Sequence, residues 1–256
     1  MKRLFLVGIV STLTFLCIFA PAQLLGSVLS QFTHGRLNLA STQGSLWHGN
    51  AYLLLNSMSS PADDATQPNS ESINLGKVSW DTQALQLLSG RLSVNLTWND
   101  GAPFWLTLDP SRLHIEHAAF NLPTEVIPAL VPTLKAAQLG GQLAVRCENF
   151  SVTRTEILGQ LDIDWNQASS PLSTVNPLGS YHTRLDGRGN VMEMKLESPE
   201  SNPLIMQGNG QWSMNDGLHF DGSAEANAAY KDKLQELLRV LGNEASAGSG
   251  RYQLKF

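Results

Sequence analysis

Cysteine is nearly absent from this 256-residue chain. Of its two cysteines, Cys17 lies inside the one long apolar run and Cys147 stands alone beyond it, so no intramolecular disulfide can staple the fold. The remainder must hold together by its own core, which a single β-rich domain of this length can provide. Charge is scarce too: charged residues make up 15% of the chain, against ~25% in typical soluble domains. The net charge of −5, with no lysine–arginine cluster to offset it, excludes a nucleic-acid binder. Catalytic signatures are also missing. There is no G-x-S-x-G elbow, no P-loop and no G-x-G-x-x-G after a strand. The chain is read as non-enzymatic, with no catalytic, cofactor-binding or metal residues and no cofactor.

What is present starts at the N-terminus. Lys2 and Arg3 precede an apolar run from Leu4 to Ala20, and the next charged residue is Arg36. The run is marginal against the ~20 apolar residues that span a bilayer, but Ala22, Leu24, Leu25, Val28 and Leu29 can extend it past Pro21. Cations before the run, and none close after it, place the N-terminus in the cytoplasm. This predicts residues 1–3 as cytoplasmic, a transmembrane signal-anchor over 4–25, and one exported β-rich domain over 26–256. A cleaved signal peptide is the competing reading, with Ala20-Pro21-Ala22 imitating a small-x-small cleavage site. The proline inside that site, and the uncharged sequence beyond it, favour the uncleaved anchor. Cys17 follows the bulky Phe15 and Leu16, which does not suit a lipoprotein.

A second pattern recurs along the chain: glycine, Arg or Gln, then alternating apolar and polar residues. It occurs as GRLNL from Gly35, GRLSV from Gly90, GQLAV from Gly141, GQLDI from Gly159, GQWSM from Gly210 and GRYQL from Gly250. The spacing is irregular, so this is no solenoid. It predicts glycine-led strands with a period of two. Leu92, Val94, Leu96 and Trp98 fall on one face; so do Leu161, Ile163 and Trp165, and then Met192, Met194 and Leu196. One apolar and one polar face suit an antiparallel sheet covered on a single side. Turns are expected at Asn99-Asp100-Gly101, Asp186 to Gly189 and Asn215-Asp216-Gly217. Gly187-x-Gly189 and Gly208-x-Gly210 read as hairpin glycines.

Helices are few. Leu234, Leu237, Leu238 and Leu241 recur at helical spacing before Gly242, predicting a helix from about residue 229. A short turn is expected over Thr82 to Leu88, and Pro128 and Pro132 predict broken helical turns. Residues 57–72 and 168–177 read as polar loops.

Candidate chemical groups are weak individually. His114 and His117 are three apart on a predicted strand and point to opposite faces. Asp162 and Asp164 share the solvated face. His48 beside Trp47 is a lone ring. Trp47 sits between Gly44 and Gly49 in GSLWHGNA, where the expected role is a core anchor with close-packing glycines, and the functional alternative is an interaction site.

The order of these features resembles a known family. The short cationic start and apolar span, GSLWHGNA, VSWDTQALQLLSGRLSVNL, LGGQLAV, GQLDIDW, PLGSYHTRL, NPLIMQGNGQW and the leucine helix before a last glycine strand together resemble protein N of the bacterial type II secretion system. The motif G-x-x-W-x-G is shared with AsmA-like envelope proteins, which the chain resembles distantly. The resemblance implies a single-pass protein of the bacterial inner membrane with a periplasmic domain. It would assist export of folded periplasmic proteins through an outer-membrane secretin. Its implied partners are other type II secretion components of the inner membrane and periplasm, with the secretin as a further candidate and lipid as a candidate ligand. The fold expected is mainly β: a long curved antiparallel sheet with an apolar concave face, short helices at its ends and one N-terminal transmembrane helix. The alternative function is AsmA-like lipid handling, with the apolar face as an acyl-chain groove.

Overall fold

Period-two alternation governs most of the chain, and most of it folds as antiparallel strands. The computed structural model describes residues 20–56, 72–213, 216–246 and 248–255. Most of the predicted anchor, residues 57–71 of the predicted polar loop, Asn215 of the predicted third turn, and Phe256 lie outside these residues. The chain forms two compact units divided between Asp100 and Gly101, inside a turn that the sequence marks.

The first unit opens with helix α1 (Gln23–Phe32), followed by strands β1 (Leu37–Gly44), β2 (His48–Asn56) and β3 (Ser72–Thr82). A 3-10 turn over Ala84–Ser89 then leads to β4 (Leu92–Trp98). Each strand pairs antiparallel with the one before it, placing Leu39 opposite Leu53, Ala51 opposite Val78 and Trp80 opposite Leu96. Helix α1 runs across the boundary predicted at residue 26 and packs on β1, with Gly26 close to Leu39. Among the described residues no helix is long and apolar enough to cross a membrane.

The second unit holds β5 (Pro103–Leu108) and β6 (Arg112–Leu122), then the proline-broken turns as α2 (Val126–Leu130) and a 3-10 turn over Pro132–Ala137. The long strands β7 (Gly140–Thr153), β8 (Ile157–Ser169) and β9 (Gly179–Gly189) follow, with β10 (Val191–Glu197), β11 (Leu204–Ser213) and β12 (Gly217–Ala226). Helix α3 (Lys231–Leu241) separates β12 from β13 (Asn243–Glu244) and β14 (Arg251–Lys255). Pairing is sequential from β5 to β12; β14 then pairs with β12, and β13 lies outside it.

Gly35, Gly90 and Gly250 precede β1, β4 and β14 with φ of 77°, 74° and 71°, so in three cases the recurrent motif starts a strand through a left-handed turn. Gly141, Gly159 and Gly210 instead lie inside β7, β8 and β11. The main core sits under α3. Leu234, Leu237, Leu238 and Leu241 are buried there against Leu178, Tyr181, Leu204, Met206, Ala224 and Leu254. The Tyr181 hydroxyl, carried inside by its ring, donates to the Leu204 carbonyl at 2.8 Å, as a buried phenol must. A smaller cluster of Ile157, Leu185 and Met192 closes another part of the same face.

Candidate functional site

Three places carry features that could be functional: the glycine–tryptophan turn, the polar face of β7–β9, and the apolar face beneath α3.

The turn is built by close approach. Gly44 and Gly49 are register partners at the end of the β1–β2 hairpin, with Ser45, Leu46 and Trp47 forming its tip. A Cβ on Gly44, whose φ is 94°, would lie 2.3 Å from the His48 carbonyl oxygen. One on Gly49 would lie 2.5 Å from both the Gln43 carbonyl oxygen and the Trp80 ring. The indole that the glycine accommodates is therefore Trp80, on β3. It is 7% exposed and donates from Nε1 to the Ser45 carbonyl at 3.1 Å. Trp47, expected in the core, is half-buried, and its carbonyl accepts the Thr82 N–H at 2.7 Å. His48 is exposed and pairs with Asp81 at 3.2 Å across the strands.

The same turn holds the end of the N-terminal apolar run. Leu46 N–H donates to the Ala20 carbonyl at 2.9 Å and Ala22 N–H to the Gly44 carbonyl at 3.3 Å, while Pro21 bridges to Ser45. Ala20 and Ala22 are 8% and 1% exposed. Sequence reasoning missed this clasp, because nothing in the residues 20–22 signals a partner some twenty positions downstream.

On the polar face, Asp162 and Asp164 do share a side, and neighbouring strands bring them cations. Arg184 Nε donates to Asp162 at 3.0 Å and Gln160 to its other oxygen at 2.6 Å. His182 Nδ1 lies 2.8 Å from Asp164 and its Nε2 lies 3.3 Å from Asp162, while Arg146 pairs with Asp164. Partial burial pushes the Asp162 pKa up, but the Gln160 and Arg184 hydrogen bonds and the nearby charges outweigh this, leaving it below the ordinary aspartate value. A general acid needs the opposite shift, toward neutral pH. The arrangement is an ion-pair ladder tying three strands together.

His114 and His117 lie three apart on β6, opposite Ser151 and Glu148 respectively, and are not brought together. Among the described residues no group of three or more His, Cys, Asp or Glu is placed to hold a metal ion. Cys147 is 4% exposed on the apolar face, and burial pushes its thiol up to about 11, which leaves it unreactive. A groove of about 800 Å³ opens on the polar side of β10–β14, lined by Lys195, Glu197, Gln207, Asn209, Arg251 and Gln253. Those side chains offer hydrogen bonds and charges rather than the lining an acyl chain needs.

The apolar face is where the chain's large side chains are concentrated. Under α3 it is closed by the four leucines. Between the two clusters Leu161, Ile163, Met194 and Leu196 are only partly buried.

These features define a mainly β protein of antiparallel strands with an apolar core under one helix and an ion-paired polar face. Residues 35–255 match the family model described as type II secretion system (T2SS), protein N, and the chain belongs to that family. No curated protein and no solved structure matches the chain.

Proposed function

We propose that this component of type II secretion works as a non-enzymatic assembly scaffold. In this reading the apolar run from Leu4 to Ala20, shorter than the 4–25 segment expected from the sequence because Ala22 is bonded to the β1–β2 turn and Gln23 begins α1, holds the chain in the inner membrane, with the folded residues in the periplasm, where it binds other secretion components. The observation that carries the reading is that the chain's own helix covers the part of the apolar face beneath α3. Leu234 and Leu237 are fully buried, and Leu238 and Leu241 are 2% and 7% exposed. A lipid carrier needs that surface open. Exposed large side chains on strands, among them Tyr52, Trp105 and Leu158, offer the kind of aromatic and aliphatic anchors that protein interfaces use.

The experiment is affinity purification of the full chain from chemically crosslinked cells that carry the complete secretion system. Other secretion proteins should be recovered, and secretion of folded periplasmic proteins should fall when the chain is deleted. Normal secretion in the deletion strain would overturn the proposal. The alternative of lipid handling is favoured by one observation, the partly open strip of Leu161, Ile163 and Leu196, and it predicts lipid rather than protein adducts from those positions.

A further inference from the structure

Helix α1 carries a row of apolar side chains that stay exposed among the described residues. Leu24, Val28 and Phe32 are 51%, 48% and 81% exposed and follow one another at intervals of four, so they form one stripe along the helix. Leu25 and Leu29 face β1 instead and are half-buried. Gln23, Ser27 and Gln31 lie beside the stripe on the exposed arc. The outward surface of α1 is thus apolar along one edge and polar, but uncharged, along the other. Scattered exposed apolar residues are ordinary, but three large ones in a row on a helix without any charge are not.

What covers the stripe is set by where it sits in the chain. The apolar run from Leu4 ends at Ala20, and Ala20 and Ala22 are fixed by hydrogen bonds to the Leu46 N–H and the Gly44 carbonyl. Helix α1 begins at the next residue, Gln23. A membrane segment leaving the domain at Ala20 would bring this short helix, about 15 Å long at the α-helical rise, to the bilayer surface. Charge agrees: the first acidic residue in the chain is Asp63, and the charges before it are Lys2, Arg3 and Arg36. Neither α1 nor β1 nor β2 brings a carboxylate toward anionic headgroups.

We infer that α1 lies in the headgroup region of the membrane that holds residues 4–20, with Leu24, Val28 and Phe32 inserted toward the acyl chains, so that the β1–β2 turn and the membrane are held in a fixed relation. This rests on the anchor proposed above. A half-apolar helix lying in the interface plane is the arrangement that such a face stabilises.

The test uses the full chain in vesicles of phosphatidylethanolamine and phosphatidylglycerol doped with a phospholipid bearing a nitroxide near the top of its acyl chain. Cys17 and Cys147 are replaced by alanine, and a fluorophore is attached to a single cysteine at Val28, Phe32, Ser27 or, as a control for the span, Val10. Quenching at Val28 and Phe32 should exceed that at Ser27 by about twofold or more, as an interfacial helix with one inserted edge requires. Equal quenching at all three α1 positions, with Val10 quenched, would overturn the inference while leaving the anchor intact. An unquenched Val10 would overturn the anchor and the inference with it. A disulfide from a Val28→Cys variant to a cysteine within 4–19 or to a second copy would also overturn it, because the stripe would then be covered by protein.

Discussion

Two helices of nearly equal length, one in each unit, pack on sheet strands and use their apolar stripes in opposite ways. Helix α3, of 11 residues, buries four leucines and has Asp232 in its first turn and Arg239 in its last, the signs that a helix dipole favours at each end. Helix α1, of 10 residues, buries no residue fully, carries no charge in either end turn and exposes three large apolar side chains. Both are amphipathic in sequence. The difference is that α3's stripe meets a core of the same unit, whereas α1's stripe faces away from β1. One helix holds the fold together; the other keeps an unused apolar edge beside the proposed anchor.

The sharpest contrast comes from adding charge to each stripe. Leu237→Asp places a carboxylate in a fully buried site, and the loss should exceed ~4 kcal/mol, enough to leave the second unit unfolded in circular dichroism. Val28→Asp should change the unfolding free energy of the detergent-purified chain, measured in urea, by no more than ~0.5 kcal/mol, the usual range for surface changes. Equal effects would erase the distinction between the helices.

In the first unit, Trp80→Ala should cost the ~3–5 kcal/mol typical of a buried large aromatic, and Trp47→Ala clearly less, since Trp47 is half-buried. Urea unfolding of both variants reads the order, and a Trp47 cost equal to that of Trp80 would restore Trp47 as the core anchor. Gly49→Ala, whose new methyl would meet the Trp80 ring and the Gln43 carbonyl, should cost ~1–3 kcal/mol by overpacking, measured the same way.

A small effect also belongs to the ion-pair ladder. The folded pKa of Asp162 is lowered, so its contribution is complete above the ordinary carboxylate range and is lost as pH falls through the folded value. Asp162→Asn should therefore lower stability at neutral pH by under ~1 kcal/mol, because Arg184 and His182 are partly solvated. The gap between the two proteins should narrow toward acid in urea titrations. A constant gap across pH would mean that the ladder does not couple to folding.

Alternation and leucine spacing made the strands, the 229–241 helix and the proline-broken turns legible in the sequence, because each depends on neighbours a few positions away. The glycines were legible only in part. Gly35, Gly90 and Gly250 lead strands as their motif suggests. Gly208 and Gly210 are not hairpin residues: they lie inside β11, where a Cβ would come within 2.4 Å and 3.0 Å of the Phe220 ring. Only the register of β11 against β12 reveals that ring. The same limit explains the tryptophans. Nothing near Gly49 says that Trp80, a strand away, fills the space, and local pattern points to the adjacent Trp47 instead. His182 is not legible as a partner of Asp162 and Asp164, because it lies on the next strand. Contacts that require register between distant segments are invisible to a reading of local pattern.

Whether the apolar face is closed is the question on which the scaffold account depends. The most direct measurement places a photoactivatable phenylalanine derivative at Ile163 of the full chain in living cells with the secretion system, followed by mass spectrometry of the adducts. The account predicts adducts within the chain or with other secretion proteins. Phospholipid adducts at Ile163, repeated at Leu161 and Leu196, would contradict it and make the sheet a lipid groove.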